Sequence, residues 1–420
     1  MSIRRVVVTG MGAVSPLGTG VRRTWDGLVS GRSGVRAVTS FDTTGLGSRV
    51  AGSVPLGGQD GGLDVDTVFS GKEVRRNDPF ILYAMAAADE ALAQAAWKPT
   101  EERDRERTSV IIGSAIGGFQ TMTKGTLDFH LKGPDHIPAF FIPAQLINLA
   151  SGQIAIRHGF LGPDFAVVGA CATGAEAVAT GARTILTGES DVAVVGGSDA
   201  TMHPICFAGF EKLHTLSTHF NDTPEQASRP FDRARDGFVV GEGAGVLILE
   251  EYGHARARGA EILAELRGYG SASDAHHIAA SHPQGLGEQR AMRWALERAG
   301  LTAADIGYVN AHATSTGVGD LGELAAISAV FGRDGRVAVS STKSATGHTC
   351  GAAGALEAIF SICALRSGTV PPTLNLRDPE PEYAGMNLVP LQAQERRLNA
   401  VLSNSFGFGA TKVALVFAAA

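Results

Sequence analysis

Short runs of β-branched and other apolar residues alternate along this chain with helix-length segments, and that alternation restricts the fold more than any single motif does. The runs are Arg5–Thr9, Ser109–Gly113, Phe165–Gly169, Asp191–Gly196 and Ala244–Glu250, then Ala260–Tyr269, Ile306–Ala311, Ala338–Ser341, Ala400–Ser403 and Ala414–Phe417. Each is continuously apolar and bounded by Gly, Ser or Asp, as expected of strands covered on both faces. Between them the spacing predicts helices over Pro79–Ala96, Gly174–Thr187, Gly287–Ala299, Gly322–Val330 and Ala352–Ser367. The expected class is α/β.

The two series of runs look alike. In the first, a strand leads into Cys171, then small residues, then a helix from Gly174. In the second, Ala338–Ser341 leads to His348, then Cys350-Gly351-Ala352-Ala353-Gly354 and another helix. A duplicated α/β unit produces such an echo, but so does many an α/β chain, and pattern alone leaves the two open. The boundary would fall near the Arg-Ala-Arg-Gly run at 256–259, giving halves 1–258 and 259–420 that pack as one body in the absence of a low-complexity linker.

Composition excludes several classes of function. Among 420 residues, 44% are apolar and 19% charged, the balance of a globular protein with a large core. A net charge of −6 lacks the basic footprint of a nucleic-acid binder. Cys171, Cys206, Cys350 and Cys363 show no paired spacing, so a disulfide framework is not expected and the cytoplasm is. The amino-terminal run from Ser2 to Thr9 is too short for a signal-peptide core, and no stretch approaches the ~20 apolar residues of a membrane helix.

Candidate chemistry concentrates at three places. In Val167-Val168-Gly169-Ala170-Cys171-Ala172-Thr173-Gly174 an apolar strand runs through small residues into a helix start, a setting that presents one side chain at a sharp turn. The helix N-terminus would lower the Cys171 thiol pKa and favour thiolate; a buried structural cysteine is the alternative. His312 and His348 each follow an apolar strand, where active-site edges of α/β proteins lie, although a single His is more often structural. Neither Cys-x-x-Cys nor His-x-x-x-His is present, so no metal site is expected. Ser403-Asn404-Ser405-Phe406-Gly407-Phe408-Gly409 is a glycine–aromatic loop before the last strand, which in isolation reads as a plain turn.

Taken together, these segments resemble the β-ketoacyl-acyl carrier protein synthases of the type II elongating class, condensing enzymes of the thiolase superfamily. The resemblance runs in order through Val-Val-Val-Thr-Gly-Met-Gly-Ala-Val-Ser-Pro-Leu-Gly (6–18), Gly-Ala-Cys-Ala-Thr-Gly (169–174), Leu-Ser-Thr (216–218) and Ala-Ser-Arg-Pro-Phe-Asp (227–232). It continues through Arg-Asp-Gly-Phe-Val-Val-Gly-Glu-Gly-Ala-Gly (235–245), Ser-Asp-Ala (273–275) and the His312, Lys343–His348 and Phe408 segments. It implies a thiolase-like fold: two duplicated α/β halves in five α-β-α-β-α layers, the first carrying the nucleophile and the second both histidines, usually as a homodimer. It implies decarboxylative Claisen condensation of malonyl-acyl carrier protein with an acyl group on Cys171, elongating fatty acyl chains. His312 and His348 would promote decarboxylation, with Lys343 and Glu357 organising charge around His348. The backbone N–H groups of Cys171 and Phe408 would form an oxyanion hole, and Phe408 would be a mobile gate. Thr314 and Thr316 would meet the phosphopantetheine arm, and Ile116 and Phe210 would line the acyl pocket. No cofactor beyond the carrier's phosphopantetheine is implied, and the partners are acyl carrier protein with its acyl and malonyl thioesters. A ketosynthase of a polyketide, aryl polyene or other secondary pathway is the alternative; a non-catalytic chain-length partner fits less well, because Cys171 is intact.

The chain also departs from the family pattern. Ala410-Thr411-Lys412 replaces a frequent Gly-Thr-Asn, and Ala313 and Gly317 stand where Gly and Pro are common. Lys72, Arg75 and Arg76 match a basic cluster that meets acidic carrier protein, or form a solvated helix end; Gly133-Pro134-Asp135-His136 lacks a basic pair, and His214 stands where Arg is common.

Overall fold

The computed structural model describes residues 4–57 and 61–420. Ser2 and Ile3 of the amino-terminal run lie outside the described residues. The main sheet contains β1 (Val6–Ser15), β2 (Thr108–Gly113), β3 (Asp164–Phe165), β4 (Val192–Asp199) and β5 (Gly243–Glu251) from the first half of the chain. From the second half come β6 (Ala264–Ser273), β7 (Ile306–Asn310), β8 (Ala338–Ser340), β9 (Ala400–Phe406) and β10 (Thr411–Ala418). The first five lie in the order β3-β2-β4-β5-β1 and the second five in the order β8-β7-β9-β10-β6. Each half has its first three strands mutually parallel and the next two antiparallel. The internal echo in the sequence is therefore a repeat in three dimensions. The half-sheets also join: β1 and β6 pair antiparallel through Val7–Glu265 and Val8–Ala264, giving one continuous folded-over sheet.

Helices complete the layers. α1 (Pro79–Ala95) covers the outer face of the first half-sheet, and α2 (Thr173–Leu186) its inner face. α3 (Leu286–Ala299), α4 (Gly317–Phe331) and α5 (Ala353–Ser367) belong to the second half; α3 packs on β6 and β10, and α5 lies against α2 between the half-sheets. That is the expected five-layer arrangement. Close approach depends on missing side chains. A Cβ on Gly12 of β1 would lie 1.9 Å from the Ala87 carbonyl oxygen of α1, and its counterpart on Gly270 of β6 would lie 1.9 Å from that of Ala291 in α3. At the centre, Cβ atoms on Gly174 and Gly354 would each come within 2.6 Å of the opposing backbone, at Ala355 N and Ala175 N respectively. The stretch Cys350–Ser367 is apolar enough to cross a membrane, but 78% of it is buried, and it forms the core helix of the second half.

The sequence places the strands well, with two corrections. Of the run expected over Phe165–Gly169 only Phe165 pairs in the sheet, together with Asp164 before it. Residues beyond it leave the sheet because the Gly169 N–H is taken by Thr173 Oγ at 2.9 Å, which begins the turn into Cys171. The strand expected from Ala260 starts at Ala264, because the Ala260 N–H closes the preceding helical turn on Ala255 O.

A buried carboxyl sits beside the framework that positions the site. Glu242 is 4% exposed; its Oε1 accepts the Val54 N–H at 3.1 Å, and among the described residues no cation pairs with it. Burial, opposed by that hydrogen bond, pushes its pKa up to about 7. With the folded value above the unfolded one, the carboxyl's stabilising share is complete below the unfolded pKa and is lost as pH rises through about 7. Glu242→Gln is therefore expected to raise the melting temperature at pH 8.5 and to raise it much less at pH 5, with a difference of about 2 kcal/mol between the two. Calorimetry at both pH values checks it.

Candidate active site

The turn expected around Cys171 is present. Ala170 adopts φ 49°, residues Ala170–Ala172 form a single 3-10 turn, and α2 begins at Thr173. Thr173 Oγ ties the turn by accepting from Gly169 N and donating to the Ala170 carbonyl at 2.6 Å. The corresponding turn in the second half has Cys350 at φ 51°, followed by α5. Gly351 occupies the place of the nucleophile there. Its N–H donates at 2.5 Å to Asp199, a carboxylate at the end of β4 that also accepts from Ser114 Oγ and from the N–H groups of Ala115 and Ile116. One helix start thus presents a thiol, and its duplicate is capped internally by a carboxyl that burial raises to about 6.

The loop after β9 closes over the first turn. A Cβ on Gly407 would meet the Gly169 carbonyl oxygen at 2.2 Å, so the loop backbone can lie against the elbow only with glycine there. The N–H groups of Phe408 and Cys171 both face the Cys171 sulfur. Two preorganised donors at one point suit a developing oxyanion.

His312 follows β7. Glu323 of α4 accepts the N–H groups of His312 at 2.9 Å and Ala313 at 2.6 Å, and Asn404 donates to the same carboxyl at 3.0 Å. His348 is fixed by its backbone to the short strand Val240–Gly241: its N–H donates to Val239 O at 2.8 Å, and its carbonyl accepts from Gly241 at 2.9 Å. The imidazoles meet edge to face, with ring centroids 5.4 Å apart and planes at 87°. Phe238 packs edge-on against His348, and Phe210 against Phe238. Burial, reinforced by the Lys343 charge, holds both imidazoles well below the usual histidine range, so they are neutral at ordinary pH.

Cys171, His312, His348, Phe210, Phe408, Thr314 and Thr316 line one cavity of about 520 Å³. The Thr314 and Thr316 hydroxyls are 3.2 Å apart. Lys343 and Glu357 form a fully buried ion pair behind the histidines. Cys350 reaches the cavity wall as a buried thiol held well above its usual pKa by burial. Ile116 stands outside the lining; its N–H is engaged at 3.2 Å by Asp199. Lys72 and Arg75 are exposed on the helix Gly71–Arg76 and are not part of the cavity lining, while the Arg76 guanidinium lies 4.1 Å over the Phe140 ring.

One expectation fails. Burial pushes the Cys171 thiol up to about 11, because the nearby Lys343 charge and the two N–H groups do not offset the loss of water. The resting nucleophile is a thiol. Glu323 and Asp199 were not anticipated either. The signal for Glu323 was an acid inside the otherwise apolar Gly322–Val330 segment; for Asp199 it was an acid at the end of a buried strand.

Comparison with known proteins agrees with this geometry. Residues 3–255 match the family model for the β-ketoacyl synthase N-terminal domain, and 263–377 that for the C-terminal domain. The chain is 51% identical to a 3-oxoacyl-[acyl-carrier-protein] synthase 2 of Rhizobium meliloti, over 99% of this chain and 98% of the relative. It is 47% identical to the mitochondrial 3-oxoacyl-[acyl-carrier-protein] synthase of Arabidopsis thaliana, over 99% and 94%. A solved type II polyketide ketosynthase, in complex with its acyl-carrier protein and bound to a hexaketide, superposes with a TM-score of 0.90 at 31% identity and covers 100% of both chains. A thiol and two neutral imidazoles in one cavity of a duplicated α/β fold define a condensing enzyme of the thiolase type. The chain belongs to the β-ketoacyl synthase family.

Proposed function

We propose that the chain catalyses decarboxylative condensation of malonyl-acyl carrier protein with an acyl group held on Cys171, elongating fatty acyl chains. The observation that carries this reading is the convergence of one thiol, two N–H groups facing it and two neutral imidazoles on a single cavity. In acyl transfer, the Cys171 sulfur bonds to the acyl carbonyl carbon and the carrier thiol leaves. The Cys171 proton must depart as the bond forms, and a neutral imidazole in the cavity is the acceptor available. Malonyl thioester then loses carbon dioxide. Its enolate oxygen is held by His312 and His348 as N–H donors, and its carbon attacks the acyl-Cys171 carbonyl while the Phe408 and Cys171 N–H groups receive the oxyanion. Collapse expels the Cys171 sulfur as thiolate, which takes up a proton from water, the first proton having left with the carrier thiol. Lys343 and Glu357 act through the histidines without touching substrate.

Identity separates the fatty acyl reading from the polyketide one: the relatives at 51% and 47% are 3-oxoacyl synthases, whereas the polyketide neighbour is at 31%. Acyl carrier protein is the partner this reading requires, with Lys72 and Arg75, which pair with no carboxylate among the described residues, as cations for an acidic surface and Thr314 and Thr316 beside the path of the phosphopantetheine arm. Ile116 and Phe210 line the acyl pocket in this reading. No metal or organic cofactor enters the reaction. The division into 1–258 and 259–420 follows the repeated strand order. Four free cysteines suit the cytoplasm. A second copy of the chain is the occupant proposed for the apolar surface of the segments Phe119–Lys132, Phe141–Gln145 and Leu149–His158, where Phe129 is 57%, Leu131 73%, Ile142 58% and Ile156 75% exposed.

Incubation with acyl carrier protein thioesters, or with cerulenin, followed by mass spectrometry of peptides tests the reading. An adduct on the Cys171 peptide is expected; an unmodified protein, under conditions that label a known condensing enzyme, overturns it. The gate role of Phe408 carries its own prediction. The side chain is 37% exposed, so Phe408→Ala is expected to cost at most about 1–2 kcal/mol of stability. Condensation is expected to fall at least about tenfold. Steady-state kinetics and a melting curve together check this.

A further inference from the structure

Lys412 is the second residue of β10, directly after the loop that carries Phe408, and its side chain is 2% exposed. Its Nζ donates to Ser281 Oγ at 3.0 Å and lies 3.3 Å from Asp274 Oδ2 and 3.5 Å from Glu288 Oε1. The two carboxylates are as buried as the ammonium, at 0% and 1% exposed. The three partners lie in and at the ends of one excursion of the chain. Asp274 follows the last residue of β6, Ser281 lies within the excursion, and Glu288 is in the first turn of α3. Residues 274–285 form neither helix nor strand, and His277, Ile278, Ala279, Ala280 and Ser281 wall the cavity that holds Cys171.

The gate loop is tied to the same excursion. The Gly409 N–H donates to Ile278 O at 2.7 Å, and the Asp274 N–H to Ala410 O at 3.3 Å. Ala410 holds φ 69°, a left-handed conformation that costs a non-glycine residue about 1 kcal/mol, so outside contacts must secure it. One buried ammonium thus joins both ends of a segment that forms neither helix nor strand, and that segment is bonded to the gate loop. A lone buried charge is far more costly than a pair, so the three ionic groups stay together or open together as water enters. Lys412 also faces the Phe406 ring at 5.8 Å, with His312 packed against that ring.

We propose that Lys412 is a positioning residue: with Asp274 and Glu288 it forms a buried ionic latch that holds residues 274–285, and through them residues 407–410, closed over Cys171 between acyl transfer and condensation. The steps named rest on the condensing function above; the latch itself does not.

Hydrogen exchange on the whole protein tests it. The variants are Lys412→Asn/Glu288→Ala, which removes one charge of each sign, and Glu288→Ala alone, which keeps the Lys412–Asp274 pair and guards against misfolding. Peptides covering 274–285 and 407–411 are expected to exchange about tenfold faster or more in the double variant, and by a smaller factor in the single one, with α1 and α2 unchanged. In the double variant, malonyl-carrier decarboxylation without product formation is expected to rise about tenfold relative to condensation. Unchanged exchange in both segments, or faster exchange spread through α1 and α2, overturns the latch. A protein whose Cys171 is not acylated, yet whose exchange changes as described, overturns the condensing function and leaves the latch standing.

Discussion

Cys171→Ala is expected to abolish acylation and condensation while malonyl-carrier decarboxylation continues. The substitution removes one sulfur from a turn already flanked by Ala170 and Ala172, so the elbow needs no rearrangement. The lost group is a neutral thiol at rest, which leaves no buried charge unpaired. Without a nucleophile no acyl intermediate forms, and product formation should drop by about four orders of magnitude or more, to the detection limit. Decarboxylation needs a neutral donor pair at the thioester oxygen, and His312 and His348 keep theirs: their fixing contacts run to Glu323, Val239 and Gly241. Release of carbon dioxide and formation of 3-oxoacyl product, measured in parallel on the same sample, separate the two steps. Loss of both with an unchanged melting curve would refute the separation between thiol and histidine pair.

The strands and central helices were legible because their cause is local. A continuous run such as Ser109–Gly113 needs cover on both faces, and the structure supplies it. Strand order was not legible: nothing in an apolar run names its neighbours, and the β1–β6 junction rests on two residue pairs. The catalytic set came from resemblance more than from spacing. It could not show that Ile116 stands outside the cavity lining, its backbone held with residues 114 and 115 by Asp199, which also takes the Gly351 N–H. The charge state of Cys171 departs from the sequence expectation for a physical reason. A helix start lowers a thiol pKa, whereas here burial, with Asp199 nearby, outweighs the Lys343 charge and the N–H groups of Phe408 and Cys171. Lys412 stood out in the sequence only as a departure; its three partners, distant along the chain, emerge on folding.

Lys343→Met should lower both stability and activity, and a second substitution pulls the two apart. Lys343 and Glu357 are 1% and 3% exposed and paired directly, so removing the ammonium strands a carboxyl in the core. Breaking one side of such a pair costs about 3–5 kcal/mol. The cost depends on pH. Burial already raises Glu357 to about 7 against the opposing pull of Lys343, and without that pull it rises further. The folded value then lies above the unfolded one, so the carboxyl's stabilising share is present at low pH and is lost as pH rises through the folded pKa. The melting temperature of Lys343→Met should fall furthest behind the parent above pH 8 and approach it near pH 5. Adding Glu357→Leu removes the stranded group and should recover most of the lost stability. Activity should not return. The Lys343 charge helps to keep His312 and His348 neutral, and it favours the Cys171 thiolate that leaves during condensation. Without it both imidazoles protonate at a higher pH, so the acid limb of the decarboxylation profile moves upward, and condensation should remain about ten- to a hundredfold below the parent at pH 7. A double variant as stable as the parent and fully active, with an unmoved acid limb, would reduce the buried pair to scaffolding. One stable and slow, with the limb displaced, assigns its charge to the chemistry.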